Sequence, residues 1–99
     1  MTEVVFQYFS GCPNWKTTHE RLEEAIGDRS MSIEMQLVES PEEAAAVGFR
    51  GSPTVLIDGV DPFADPDTPA AGTLACRVYH GEDGSPTVDQ LREALAANR

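Results

Sequence analysis

The sequence contains little of what builds a disulfide framework, a zinc centre or a membrane span. Two cysteines among 99 residues are too few for a disulfide-stapled scaffold, and the chain has only two histidines. A closed four-ligand zinc site would need all four of these side chains to converge, so we expect no metal site and no cofactor. No apolar run approaches the roughly 20 residues that cross a bilayer.

Basic residues are also scarce, and this excludes several classes of partner. Seven lysines and arginines stand against 17 aspartates and glutamates, so the net charge is −10. Such a chain repels phosphate backbones and anionic headgroups, and we expect it to bind neither nucleic acid nor membranes. The start Met1-Thr2-Glu3 has neither the basic residues nor the apolar stretch of a secretory signal, so we expect a cytoplasmic protein.

The first half of the chain has the apolar spacing of a strand, a helix and a second strand. A nearly continuous apolar run over 4–9 is typical of a buried strand. Pro13 then stands at the first position of a helix whose apolar face repeats at spacings of three and four through Ile26. Alternation over 32–38 predicts a half-exposed edge strand.

The second half predicts a short helix, two strands and a terminal helix. Ser40 and Thr87 each begin a capping box, so helices should start beside them. Apolar residues over 55–57 and 74–79 predict two further strands, antiparallel to each other. The whole order is βαβαββα, in one domain over residues 1–99.

A long connection interrupts this pattern at about 58–73. Three prolines and four aspartates fall within 58–72, where a tight turn would have sufficed. We expect a Pro/Asp-rich loop insertion, exposed and rich in turns.

The chemistry of the sequence centres on Cys12, at the junction of the first strand and the first helix. A thiol there faces unpaired backbone N–H groups and the positive end of the helix dipole. Both favour the thiolate, which is the nucleophilic form of cysteine. Lys16 adds a positive charge one helical turn further along.

Two motifs resemble the thioredoxin superfamily. Tyr8-Phe9-Ser10-Gly11-Cys12-Pro13 is similar to the glutaredoxin motif, and Arg50-Gly51-Ser52-Pro53-Thr54 is similar to the thioredoxin stretch before the third core strand. The resemblance implies a thioredoxin-like α/β fold, with a four-stranded mixed sheet flanked by three helices. It also implies a cis bond before Pro53, with that proline facing Cys12.

The resemblance further implies roles for individual residues. Cys12 and Pro13 would be catalytic, with Cys12 as the nucleophile. The residues implied in substrate binding are Trp15, Ser52, Pro53 and Thr54.

Two departures from the family pattern point to a single-thiol mechanism. Trp15 replaces the second motif cysteine, and Phe6 stands where thioredoxins place a buried aspartate. The implied function is monothiol thiol–disulfide exchange, in which an external thiol releases the mixed disulfide. The implied partners are a low-molecular-weight thiol or a protein disulfide, and the implied state is a monomer or weak dimer.

Alternatives remain open at this point. Cys76 is either a resolving thiol or a structural core cysteine. If the last two strands are antiparallel, Cys76 lies near the end of its strand that is far from Cys12, which disfavours a disulfide between the two cysteines. A second function is a non-catalytic binding module that uses the groove at cis-Pro53. A third is the handling of soft metal ions, such as copper(I) or mercury(II), by cysteine thiolate.

Overall fold

The computed structural model describes residues 3–11, 14–27, 31–64, 72–77, 79 and 84–97. These residues form five strands and three helices: β1 Val4–Tyr8, α1 Asn14–Ile26, β2 Ile33–Leu37, α2 Pro41–Val47, β3 Arg50–Ser52, β4 Thr54–Ile57, β5 Thr73–Cys76 and α3 Val88–Ala97. The predicted α/β class is confirmed. None of the described helices is long and apolar enough to span a membrane.

The main sheet is three-stranded and mixed, in the order β2-β1-β4. β1 is parallel to β2, with Val4 opposite Ile33 and Tyr8 opposite Leu37. β4 runs antiparallel on the other side of β1, with Val4 opposite Ile57. The sheet therefore has β1 at its centre, which explains why β1 is an almost continuous apolar run.

The last strand, β5, departs from the prediction of a four-stranded sheet. β5 does not join β4; it pairs in parallel with the short strand β3, placing Arg50 opposite Thr73 and Ser52 opposite Cys76, with a register shift between them. A tight turn after β4 would have allowed an antiparallel hairpin, but a parallel pair needs a long crossover connection. The connection over 58–72 supplies that length, and it returns the chain beside Arg50.

Two apolar clusters lie on the two sides of the strands. The larger joins β1 and β4 to α1 and α3 and contains Phe6, Leu22 and Leu91, each 0% exposed. The smaller, formed by Val38, Ala44 and Phe49, lies beneath α2. Burial of these side chains is the main favourable contribution to folding.

Both predicted helix caps are present, and the one at Thr87 forms the complete capping box. Ser40 Oγ accepts a hydrogen bond from the Glu43 N–H at 3.1 Å at the start of α2. At α3, Thr87 Oγ1 accepts from the Gln90 N–H at 3.1 Å, and Gln90 Oε1 accepts from the Thr87 N–H at 2.8 Å. These bonds satisfy N–H groups that have no partner inside the helix. The helix start predicted at Pro13 lies outside the described residues.

We expect Leu91→Ala to lower the free energy of unfolding by about 2–5 kcal/mol, because it leaves a cavity in the larger cluster. Leu37→Ala is the matched control: Leu37 is 45% exposed, so its loss should cost under about 1 kcal/mol. Urea denaturation of both variants measures the difference. Equal losses would contradict the described core.

Candidate functional site

The predicted nucleophile and its neighbour, Cys12 and Pro13, lie outside the described residues. The chain on either side of them is described: β1 ends at Tyr8, and α1 begins at Asn14. The first turn of α1 carries no acidic residue, so no carboxylate of that turn opposes an anion at the helix start.

Ser52 connects three segments of this region. Its Oγ accepts a hydrogen bond from the Phe9 N–H at 3.0 Å, just after β1. Its carbonyl oxygen accepts from the Arg77 N–H at 2.9 Å, and its backbone lies opposite Cys76 in β5. Ser52 is completely buried. The segment that leads into Cys12 is therefore bonded to the residue that precedes Pro53.

Pro53 and Thr54 continue this buried segment. The Ser52–Pro53 peptide bond is cis, the geometry that the resemblance implies. The Pro53 carbonyl oxygen accepts a hydrogen bond from Tyr79 Oη at 2.6 Å. Thr54 Oγ1 donates to the Gly51 carbonyl oxygen at 2.6 Å. Ser52, Pro53 and Thr54 are consecutive predicted binding residues, and the structure buries all three side chains.

Trp15 is the half-buried member of the predicted binding residues. Its ring lies 4.5 Å from that of Tyr8 and 6.5 Å from that of His19, measured between centroids. The Lys16 ammonium lies 5.9 Å from the indole centroid, within range of a cation–π contact. An aromatic surface therefore adjoins the end of β1, on the side where α1 begins.

Cys76 occupies a different place from the one expected. Sequence reasoning placed its strand antiparallel to the third strand, with its start at the opposite end of the sheet. The parallel pairing of β5 with β3 instead sets the Cys76 backbone opposite Ser52. The Cys76 backbone therefore lies beside the residue that precedes Pro53, and not at the far end of the strand. The Cys76 side chain lies outside the described part of the structure.

A buried ion pair beside this segment was not found from the sequence. Arg77 Nη1 donates to Asp61 Oδ2 at 2.6 Å, and Nη2 donates to Oδ1 at 3.2 Å. The side chains of Arg77 and Asp61 are 3% and 8% exposed. The sequence sets Arg77 in the opposite phase from Leu74 and Cys76, and this alternation gives no sign of a buried guanidinium. The paired carboxylate is what allows the guanidinium to be buried.

Tyr79 links this ion pair to Pro53. The Arg77 Cζ lies 4.6 Å from the Tyr79 ring centroid, and the ring of Phe63 meets that of Tyr79 edge-on at 5.4 Å. Burial raises the pKa of the Tyr79 phenol well above its usual range, while the nearby Arg77 charge acts in the opposite direction. The loop residues Asp61 and Phe63 therefore hold the Pro53 segment through Arg77 and Tyr79. Of the other described residues of the loop, 58–60, 62 and 64 are exposed.

Compared with models of protein families and with curated proteins, the chain matches none of them. Its functional assignment therefore depends on its own residues and their geometry.

We expect Arg77→Met to lower the free energy of unfolding by about 3–5 kcal/mol, because it leaves the buried Asp61 carboxylate without its cation. Adding Asp61→Leu should restore a large part of that loss. The control is Arg92→Met, which removes an exposed pair with Asp89 at 3.7 Å and should cost under about 1 kcal/mol. A double variant as unstable as Arg77→Met in urea denaturation would contradict this account.

We expect stability to fall at high pH through Tyr79. Its pKa is raised in the folded state, so only the unfolded chain loses this proton just above pH 10, the ordinary tyrosine value. The free energy of unfolding should then decrease by about 1.4 kcal/mol per pH unit above about pH 10. Tyr79→Phe should remove this contribution from the pH profile of urea denaturation. A profile with the same slope in Tyr79→Phe would refute the assignment.

Proposed function

We propose that this chain is a thioredoxin-like protein that exchanges thiols with disulfides through Cys12, with an external thiol as the resolving partner. The arrangement of its central strands supports the fold. A β1-α1-β2 unit with parallel strands is followed by β4, antiparallel to β1, and this gives a mixed sheet of the kind that the resemblance implies.

One observation carries the functional proposal: the hydrogen bond of 3.0 Å from the Phe9 N–H to Ser52 Oγ. Phe9 stands three residues before Cys12, and Ser52 directly precedes Pro53. Phe9 and Ser52 belong to the two motifs that resemble the superfamily, and this bond joins those motifs although the two residues are 43 positions apart in sequence. A substrate sulfur that reaches Cys12 would therefore approach beside the Pro53 segment.

The helix start supports a reactive thiol at Cys12. α1 begins at Asn14, two residues after the cysteine, so the free N–H groups of its first turn lie close in sequence. Lys16, in the same turn, adds a positive charge. Both interactions favour the thiolate over the thiol.

The exchange itself has two steps. The Cys12 thiolate attacks one sulfur of a disulfide; an S–S bond forms to Cys12, and the second sulfur leaves as a thiolate that takes up a proton. A thiolate of the external reductant then attacks the mixed disulfide. Cys12 leaves as a thiolate, and the reductant sulfur stays bonded to the substrate sulfur.

Substrate contacts fall to Trp15 in this proposal, because Ser52, Pro53 and Thr54 have buried side chains. The carbonyl oxygens of Ser52 and Pro53 already accept hydrogen bonds from Arg77 and Tyr79. Because these side chains are buried and these carbonyl oxygens are already bonded, the structure gives less support to a non-catalytic module that binds partners in the Pro53 groove.

Cys76 offers a second route for resolution. Its backbone lies opposite Ser52, and Ser52 also bonds to Phe9 in the segment that leads into Cys12. Both cysteine-bearing segments therefore meet the same residue. In this alternative mechanism, the Cys76 thiolate would attack the mixed disulfide in place of the external thiol.

Alkylation of the two cysteines across pH tests the proposal. We expect Cys12 to react with a pKa below the ordinary cysteine value of about 8.5, and to form a mixed disulfide with glutathione detectable by mass spectrometry. Cys12→Ser should abolish reduction of a small disulfide by glutathione, whereas Cys76→Ser should retain it.

The outcomes separate the alternatives. A Cys12 pKa at or above about 8.5, with no mixed disulfide, would exclude the redox function. Loss of turnover in Cys76→Ser, together with a Cys12–Cys76 disulfide in the oxidised protein, would show that Cys76, and not an external thiol, resolves the mixed disulfide. Unchanged activity of Cys12→Ser in cells would favour the binding module.

A further inference from the structure

The strand β2 lies at one end of the three-stranded sheet. β1 pairs with one of its edges, and no other described strand pairs with it. Within the ranges that the structure covers, the outer edge of β2 therefore presents backbone N–H and C=O groups to a partner.

One face of this edge is apolar and exposed. Met35 lies opposite Phe6 and Leu37 lies opposite Tyr8, so both side chains point to the same face as the larger core cluster. Phe6 is completely buried, but Met35 is 40% exposed and Leu37 is 45% exposed. Two large apolar side chains thus stand side by side at the rim of the core.

The other face of the same edge is polar and negatively charged. Glu34 and Gln36 alternate with the apolar residues of β2, and Glu34 is exposed. Side chains of neighbouring strands interact with the residues directly opposite them on the same face. A strand added here would meet apolar groups on one face and a carboxylate on the other.

We propose that the outer edge of β2 binds an extended peptide segment in which apolar residues alternate with basic residues. Its apolar side chains would cover Met35 and Leu37, its basic side chains would pair with Glu34, and its backbone would continue the sheet. The net charge of −10 favours a basic partner over a second copy of this chain, because two such copies repel each other.

Binding of three short synthetic peptides of equal length, followed by fluorescence anisotropy, tests this proposal. One alternates valine with lysine, the second valine with glutamate, and the third serine with lysine. We expect the valine–lysine peptide to bind at least about tenfold more tightly than either of the others, since it alone supplies both apolar burial and opposite charge. Amide NMR signals of β2 should shift on its addition.

Variants on the surface of β2 locate the site. Leu37→Ser should weaken binding of the valine–lysine peptide about five- to tenfold, through lost apolar burial. The matched control is Val60→Ser: Val60 is 56% exposed, and it follows β4 at the opposite edge of the sheet. It should leave the affinity unchanged. Glu34→Lys should shift the preference towards the valine–glutamate peptide.

Three results would overturn the proposal. Equal binding of the serine–lysine peptide would show only attraction to an acidic protein. Equal weakening by Val60→Ser, in variants whose urea midpoints match the parent, would place the peptide elsewhere. A concentration-dependent dimer that the Leu37→Ser substitution dissociates would show that a second copy of the chain occupies the outer edge of β2.

Discussion

The structure around Pro53 depends on one buried pair of opposite charges. Removing a carboxylate and a guanidinium from water costs several kcal/mol each, and only close pairing with good hydrogen bonds offsets that cost. Asp61 and Arg77 form two such bonds, one from each terminal nitrogen of the guanidinium. Because Asp61 lies in the loop after β4 and Arg77 lies directly after β5, the pair fixes the loop and the strand together. Tyr79 extends this constraint to the Pro53 carbonyl.

Local patterns predicted the helices well, but they gave the last strand the wrong partner. The apolar spacing through Leu22 and the helix caps at Ser40 and Thr87 involve residues within one turn or on one helix face, so the sequence displays them directly. Alternation in β5 specifies two faces, but it does not specify which strand lies alongside. That choice follows from the long loop. The burial of Arg77 follows from a carboxylate 16 residues earlier, which no local pattern indicates.

The candidate site was predictable only through the resemblance, and only in part. The cis bond before Pro53 is present as the resemblance implies. The implied approach of Pro53 to Cys12 lies outside the described residues, and the hydrogen bond from Phe9 to Ser52 is a contact that composition and periodicity cannot supply. The burial of the Ser52 and Thr54 side chains could not be predicted from the motifs. Their side chains bond to backbone groups inside the protein. Ser52 also belongs to β3, whose parallel pairing with β5 was not predicted. Cys76 changed place for the same reason.

The single tryptophan gives this protein a built-in optical probe. Trp15 is the one indole in the chain, and its ring lies 4.5 Å from Tyr8, where β1 leads towards α1. Indole emission depends on the polarity and the quenching groups of its surroundings. Intrinsic fluorescence therefore reports the strand–helix junction rather than an average over the molecule. Unfolding followed by emission and by circular dichroism would accordingly show whether that junction opens before the sheet.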